Sequence, residues 1–146
     1  MKLTKKDNKL IQLATEVAKQ NSDIYTKKGM HVGCVVLAKS GKIYKGINLK
    51  TSHSVCAEQI AIGQAFANGE RELDTIVAVK LDNRGNARVI SPCGLCRYMF
   101  DKMSLNFNVI LEDVKTGEVL KVNAEKLLPY PYEREADAKI NNQQTN

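Results

Sequence analysis

The chain has 146 residues, of which 43% are hydrophobic and 26% charged, and its formal net charge at pH 7 is +6. This balance predicts one soluble domain with a core large enough to fold without disulfides or a structural metal. The longest apolar run, Val32 to Ala38, is far shorter than the roughly 20 residues of a membrane-spanning helix, so we expect no membrane partner. The first residues are charged where a signal peptide requires an apolar stretch, so we expect a cytoplasmic protein with reduced thiols.

The hydrophobic pattern predicts elements in the order α-β-β-α-β-α-β-β-α. Apolar residues at helical spacing indicate a first helix over residues 4 to 20, with Thr4 as the candidate N-cap. Two strand-like segments on either side of Ser40-Gly41 predict a hairpin. A second helix begins almost at Cys56 and stops at Asn68-Gly69.

The second half of the chain continues this pattern of alternating elements. The remaining elements are a strand at 75–81, a loop at 82–87, a helix from Pro92 to about Met103, strands at 109–111 and 119–122, and a short helix capped by Asn123. We assign residues 1–132 to a single domain. The polar residues 133–146 form a C-terminal tail that we expect to be frayed or loosely helical.

Three of the four cysteines fall in two short motifs, Cys56-Ala57-Glu58 and Pro92-Cys93-Gly94-Leu95-Cys96, whereas Cys34 lies in an apolar strand. In a cytosolic protein, this spacing favours a metal site or catalysis over a structural disulfide. A thioredoxin-like redox pair would leave the first motif unexplained. A structural zinc site would require a fourth protein ligand, for which His31 and His53 are weak candidates. Three ligands with one open position are the arrangement of catalytic zinc, beside which a carboxylate has a role.

The two motifs, the second of which Arg97 follows, resemble those of the small homotetrameric cytidine deaminases. The likeness runs from about Lys28 to Tyr132 and implies a three-layer α/β/α sandwich around a five-stranded mixed sheet. Further segments in family order are Val32-Gly33-Cys34, Gly46-Ile47-Asn48 and Leu127-Leu128-Pro129. Three segments are more similar to blasticidin-S deaminases than to housekeeping cytidine deaminases, namely 55–58 with 60–63, 74–79, and 83–85.

The resemblance implies a zinc-dependent hydrolase that releases ammonia from an aminopyrimidine, with cytidine, deoxycytidine and blasticidin S as the candidate substrates. It implies that Cys56, Cys93 and Cys96 bind Zn²⁺, which activates a water molecule. It further implies that Glu58 carries protons from that water to the base and to the leaving amine.

The resemblance also implies the substrate contacts and the assembly. Family members bind substrate through positions that correspond here to Asn48, Ala57 and the backbone carbonyl of Ser91. After the last helix they insert an aromatic residue into the pocket of a neighbouring subunit, and Tyr132 falls at that place. We therefore expect a homotetramer with shared active sites.

The chain departs from the family pattern around the substrate and the metal. Housekeeping members hold the ribose with Asn-x-Glu, where this chain has Asn48-Leu49-Lys50 and a shorter loop to the first cysteine. An ammonium group has donors and no acceptor, so Lys50 suits an anionic group, unless it faces solvent. Three-cysteine members often have Arg after Cys-Ala-Glu, where this chain has Gln59. The thiolate charge must then be offset by Arg97, whose alternative role is that of a surface residue, or by the helix N-termini.

Two other functions remain open. The basic charge and the shared chemistry of flipped bases support a deaminase of nucleic acids or nucleotides. The chain lacks the His-Ala-Glu motif typical of transfer-RNA adenosine deaminases, however, so we do not expect a nucleic-acid partner. The second alternative is a zinc-stabilised, non-catalytic family member, and Glu58 argues against it because a structural site needs no proton carrier.

Overall fold

The computed structural model of the protein describes residues 1–20 and 31–132. The helices in these ranges are α1 (Lys5–Gln20), α2 (Ala57–Ala67) and α3 (Gly94–Lys102), followed by a 3-10 helix at Ala124–Leu127. The strands are β1 (Val32–Ala38), β2 (Ile43–Ile47), β3 (Leu73–Leu81), β4 (Ala87–Ile90), β5 (Asn108–Glu112) and β6 (Val119–Asn123). The predicted tail at 133–146 lies outside the described residues. No helix within the described residues is both long and apolar enough to cross a bilayer.

The strands form one mixed sheet with the order β2-β1-β3-β5-β6, to which β4 adds as a further partner of β3. The pairing of β3 with β5 is parallel, and the other pairings are antiparallel. Because β1 occupies one edge of β3, the other two partners share its second edge. Strand β5 pairs with residues 75–77, and β4 pairs with residues 78–81.

The prediction of five strands was therefore one strand short. The missed strand, β4, has only four residues, and of these only Val89 is buried. A segment this short and this exposed carries too little hydrophobic periodicity to be distinguished from the loop that precedes it. The third helix also begins later than predicted, at Gly94 rather than at Pro92.

Helices cover both faces of the sheet and confirm the predicted three-layer sandwich. Apolar residues of α1 pack on one face with alternate residues of β1 and β3. Residues of α2 and α3 pack on the opposite face with the intervening strand residues. The predicted N-cap of the first helix is also present, since the Thr4 hydroxyl accepts a hydrogen bond from the Asp7 backbone N–H at 3.2 Å.

The close approach of α2 to the sheet depends on Gly46 in β2. A Cβ atom at this position would lie 2.3 Å from the Ala57 carbonyl oxygen and 2.5 Å from the Ala61 backbone nitrogen. Only glycine therefore allows the first turn of α2 to contact β2. Because Cys56 immediately precedes this turn, the same contact fixes the first cysteine motif on the sheet.

Candidate metal centre and active site

The two cysteine motifs each begin a helix. Cys56 is the N-cap residue of α2, and Cys93 is the N-cap residue of α3. Cys96 lies in the first turn of α3 and is fully buried. The N-terminal ends of both helices, which carry partial positive charge, therefore converge on the cysteines.

The three thiols that the sequence motifs single out lie together. Their sulfur atoms are all within 4.8 Å of one another, and the sulfurs of Cys56 and Cys93 are 3.4 Å apart. Tetrahedral zinc with sulfur ligands at about 2.3 Å separates those sulfurs by about 3.8 Å, so the cluster has the size that zinc requires. Among the described residues, this is the group that can hold a metal ion, and neither His31 nor His53 belongs to it.

The environment of the thiols also fits a divalent cation. Burial, the largest cause, and the adjacent Cys93 together raise the pKa of Cys56 to about 11. Burial raises the pKa of Cys96 as well, as do the charge of Glu58 and the other two thiols. At Cys93, burial is outweighed by hydrogen bonds from backbone N–H groups and from the other two thiols, which lower its pKa. Three thiolates so close together require a cation, and a metal ion deprotonates its coordinating thiols.

Glu58 is the acidic group of this site. It is the second residue of α2, and it is only 5% exposed. Burial raises the pKa of its carboxyl group, although its own backbone N–H and the Cys96 thiol donate hydrogen bonds that act in the opposite direction. A buried carboxyl group with a raised pKa, beside a metal-binding cluster, suits a group that takes up and releases protons.

Ala57 lies within the first cysteine motif, and Ser91 lies directly before the second in the chain. Ala57 is the first residue of α2 and is fully buried. Ser91 follows β4, and its hydroxyl donates a hydrogen bond to the Glu112 carbonyl oxygen in β5 at 3.1 Å. The Ser91 hydroxyl is thus bonded to the sheet. The sequence did not predict this contact, because Ser91 follows the missed strand β4.

Asn48 and Lys50 have different environments. The Asn48 side-chain oxygen accepts a hydrogen bond from the Val32 backbone N–H at 3.0 Å, so Asn48 joins the end of β2 to β1. Leu49 and Val55 form two backbone hydrogen bonds that close the loop 50–54 directly before the first cysteine. Lys50 is exposed on this short loop.

Two further residues hold the backbone around the ligands. The Gln59 side-chain oxygen accepts a hydrogen bond from the Cys56 backbone N–H at 3.0 Å. The sequence singled out Gln59 only as a replaced arginine, although a Gln at the third helical position is a typical partner of the N-cap residue. The Arg97 Nε donates to the Pro92 carbonyl oxygen at 2.9 Å, and this side chain is half-buried. Arg97 therefore contacts the turn that carries Cys93.

Tyr132 lies far along the chain from the cysteine motifs. Its carbonyl oxygen accepts a hydrogen bond from the Lys102 Nζ at 2.5 Å, which ties this segment to the end of α3. The tyrosine is 69% exposed. Its side chain is thus not packed into the core of the protein.

Comparisons with known proteins agree with this site. Residues 4–111 match the family model described as the cytidine and deoxycytidylate deaminase zinc-binding region. The chain is 33% identical over 139 residues to a blasticidin-S deaminase of Bacillus cereus, and the match covers 90% of this chain and 96% of that protein. It is also 33% identical over 131 residues to a cytidine deaminase of Sporosarcina psychrophila, with 87% of this chain and 91% of that protein covered.

Superposition with a solved structure supports the same fold. The crystal structure of a cytidine deaminase from Burkholderia pseudomallei superposes with a TM-score of 0.67 at 26% identity, covering 89% of this chain and all of that one. The predicted family resemblance, the fold class and zinc as cofactor are thereby confirmed. The chain belongs to the cytidine and deoxycytidylate deaminase family of zinc-dependent hydrolytic deaminases.

Proposed function

We propose that this protein hydrolyses the exocyclic amine of a cytosine nucleoside or of a cytosine-containing analogue, with Zn²⁺ held by Cys56, Cys93 and Cys96. The observation that carries this proposal is the buried carboxyl group of Glu58 beside the three thiols. A zinc site that only stabilised the fold would not require a buried acid, which is costly to maintain without a function. This observation favours an enzyme over a non-catalytic binding module.

We assign each step of the proposed reaction to a particular residue. Zinc, when bound, lowers the pKa of a water molecule so that it becomes a nucleophile near neutral pH. Glu58 takes one proton from the attacking water and delivers it to N3 of the ring. It then takes the second proton from the hydroxyl group formed at C4 and delivers it to the departing amine, so that the C4–N bond breaks, a C4 carbonyl forms and ammonia leaves. The backbone carbonyl of Ser91 accepts a hydrogen bond from that amine, and the backbone of Ala57 contacts the base.

The charge of the three thiolates exceeds that of the zinc ion by one unit. The N-termini of α2 and α3 supply partial positive charge at this point. Arg97 also offsets this negative charge. Its hydrogen bond to the Pro92 carbonyl holds the positively charged guanidinium group at the turn before Cys93 and Cys96. We assign this neutralising role to Arg97 in place of the arginine that Gln59 replaces.

For the substrate, we propose a cytosine compound that carries an anionic group. One relative is named blasticidin-S deaminase and another is named cytidine deaminase, at the same 33% identity, so identity does not separate the two substrate types. Lys50 favours the acidic substrate, since it is exposed on the short loop before Cys56 and forms no ion pair among the described residues. Asn48, whose oxygen bonds to β1, fixes the start of that loop.

We further propose that the protein is a homotetramer whose subunits complete one another's active sites through Tyr132. The 69% exposure of this tyrosine, fixed to α3 through Lys102, supports its donation to a neighbour. Light scattering of wild type at working concentration should give four chains per particle. A monomer with full activity would contradict this proposal.

We also propose that the protein works in the cytoplasm. All four cysteines are free thiols in the structure. The metal site requires Cys56 and Cys93 in the reduced state, and their sulfur atoms are close enough to be at risk of oxidation in an oxidising compartment. Fractionation of cells with an antibody to the chain should find it with cytoplasmic markers, and recovery in a secreted fraction would contradict the proposal.

A substrate panel tests the proposed function. Purified protein is incubated with cytidine, deoxycytidine, deoxycytidine monophosphate, blasticidin S and adenosine, and a single-stranded oligodeoxynucleotide is added as the nucleic-acid arm. Ammonia release and the ultraviolet spectrum of the base are followed together. We expect turnover of at least one cytosine compound and none of adenosine. Activity confined to the oligodeoxynucleotide, or absent from the whole panel with zinc bound, would overturn the proposal.

A further inference from the structure

The sheet forks beside the segment that leads into the second cysteine motif. Strands β4 and β5 share one edge of β3, with β5 along residues 75–77 and β4 along residues 78–81. No backbone ladder joins β4 to β5 in the described sheet. The short strand β4 therefore has a single ladder partner, although Ser91 and Cys93 follow directly after it.

Glu112, at the end of β5, contacts both strand β4 and the residue that follows it. Its carboxylate accepts hydrogen bonds from the Arg88 Nε at 2.8 Å and 3.0 Å, and from a terminal guanidinium nitrogen. Its backbone carbonyl accepts the hydrogen bond from the Ser91 hydroxyl at 3.1 Å. Glu112 is therefore bonded through its side chain to β4 and through its main chain to the residue after β4.

Packing alone does not close this fork. A cavity of about 460 Å³ lies there, with Arg88, Ser91, Glu112 and Val114 among its lining residues. The polar contacts of Glu112 reach β4 and the residue after it alongside this cavity. The Arg88 contact is of the bidentate kind, which restrains geometry better than a single ion pair does.

We propose that Arg88 and Glu112 are positioning residues. They hold the segment from Ser91 to Cys93 in place, so that the Cys93 sulfur stays close to the sulfurs of Cys56 and Cys96. The clamp, defined as these two side chains, fixes the Ser91 carbonyl and the Cys93 sulfur relative to β5 and to α2. This inference rests on the proposed function for its effect on turnover. Its effect on metal binding is independent of any substrate.

The test compares Arg88→Gln, Glu112→Gln and the double variant with wild-type holoenzyme. The matched control is the exposed pair Lys39 and Glu72, whose atoms are 3.5 Å apart, changed to Lys39→Gln and Glu72→Gln. Three quantities are measured: kcat and KM for the best substrate of the panel, the rate of zinc release to a chelator, and the thermal midpoint.

We expect each clamp variant to lower kcat and to speed zinc release by about tenfold, the size of effect that supporting residues of metal sites produce. KM should change less than twofold, because the clamp does not touch the substrate. The double variant should lose no more than the stronger single variant, since both changes break the same contact. The control pair should leave kcat and zinc release unchanged.

Clamp variants that match wild type in both kcat and zinc release would overturn the inference. Losses that multiply in the double variant, or variants that unfold at the assay temperature, would also overturn it, since the pair would then act through general stability. A wild type that deaminates no cytosine compound would refute the proposed function instead. Zinc release would still report on the clamp in that case.

Discussion

The sulfur atom of Cys56 lies 3.4 Å from that of Cys93, although 37 positions separate them in the chain. Each residue is the N-cap of a helix, one of α2 and the other of α3. Two helix N-termini thus converge on a cluster of thiols in which burial and mutual proximity raise the pKa of Cys56 and Cys96. This arrangement explains how the fold can support a metal site with three negatively charged ligands.

The first prediction concerns metal content. Purified protein should contain one zinc ion per chain, and Cys93→Ser combined with Cys96→Ser should remove it, because a single sulfur ligand is left. Elemental analysis after dialysis measures the ratio. Cys34→Ala is the control, since Cys34 is buried in β1 outside the cluster, and it should retain its zinc. Unchanged zinc in the double variant would mean that the metal binds elsewhere.

The second prediction concerns the contact between β2 and α2. Gly46→Ala should lower stability by about 1–3 kcal/mol and weaken zinc binding, since the new Cβ would collide with the backbone of the helix that Cys56 begins. Gly63→Ala is the matched control within α2, because a Cβ there meets no atom within 4 Å. It should raise stability by about 0.5–1 kcal/mol. Denaturant unfolding measures both changes, and a Gly46→Ala protein as stable as wild type would refute the packing argument.

The third prediction concerns the pH dependence of stability at Asp7, which is 1% exposed and pairs with Lys121 at 2.7 Å. Burial raises the pKa of Asp7, but hydrogen bonds from Lys121 and Thr4 outweigh burial and lower it. A lowered pKa in the folded state stabilises above the ordinary pKa of about 3.9, and that stabilisation is lost as pH falls through the folded-state value.

Asp7→Asn should therefore lower stability by about 1.5–3 kcal/mol at pH 7, and the difference from wild type should shrink below about pH 4. Thermal unfolding between pH 7 and pH 3 measures this difference. Asp74→Asn provides the control, because its ion pair with Lys6 is solvent-exposed and should contribute less than about 1 kcal/mol. A difference that grows on acidification would contradict the assigned sign.

The arrangement of the layers could be predicted from the sequence because local periodicity determines it. The apolar stripe of α1 predicts a helix, and the buried apolar runs of β1 and β3 each predict a strand. The cysteine motifs could be found for a similar reason, because ligands at the N-terminus of a helix are close in sequence. Only their meeting in space required the family resemblance or the structure.

Contacts between distant segments could not be predicted in the same way. Asp7 pairs with a lysine 114 positions away, and Arg88 reaches Glu112 only because β4 and β5 share one edge of β3. Asn48 is similar, since its bond to Val32 depends on the register of two strands. No single residue in these contacts differs in type from an ordinary surface or turn residue, so the sequence carries no local signal for them.

The fourth prediction concerns substrate charge at Lys50. If Lys50 pairs with an anionic group, the ratio of kcat/KM for an acidic cytosine compound to that for cytidine should fall by about 10- to 150-fold in Lys50→Glu, which is the range for a charge-assisted contact. Lys45→Glu on β2 is the control, because that residue is exposed and lies outside the site, and the ratio should hold. An unchanged ratio in Lys50→Glu would show that Lys50 does not contact substrate.

The most direct test of the account is the turnover of Glu58→Gln with its metal content measured in the same sample. The amide keeps the shape of the side chain but cannot carry a proton, so the rate of ammonia release should fall by about 10²–10⁴-fold. Zinc should remain at one ion per chain, because the cysteines are unchanged. A zinc-loaded Glu58→Gln protein that releases ammonia at nearly the wild-type rate would contradict the account, because the proton carrier would then lie elsewhere.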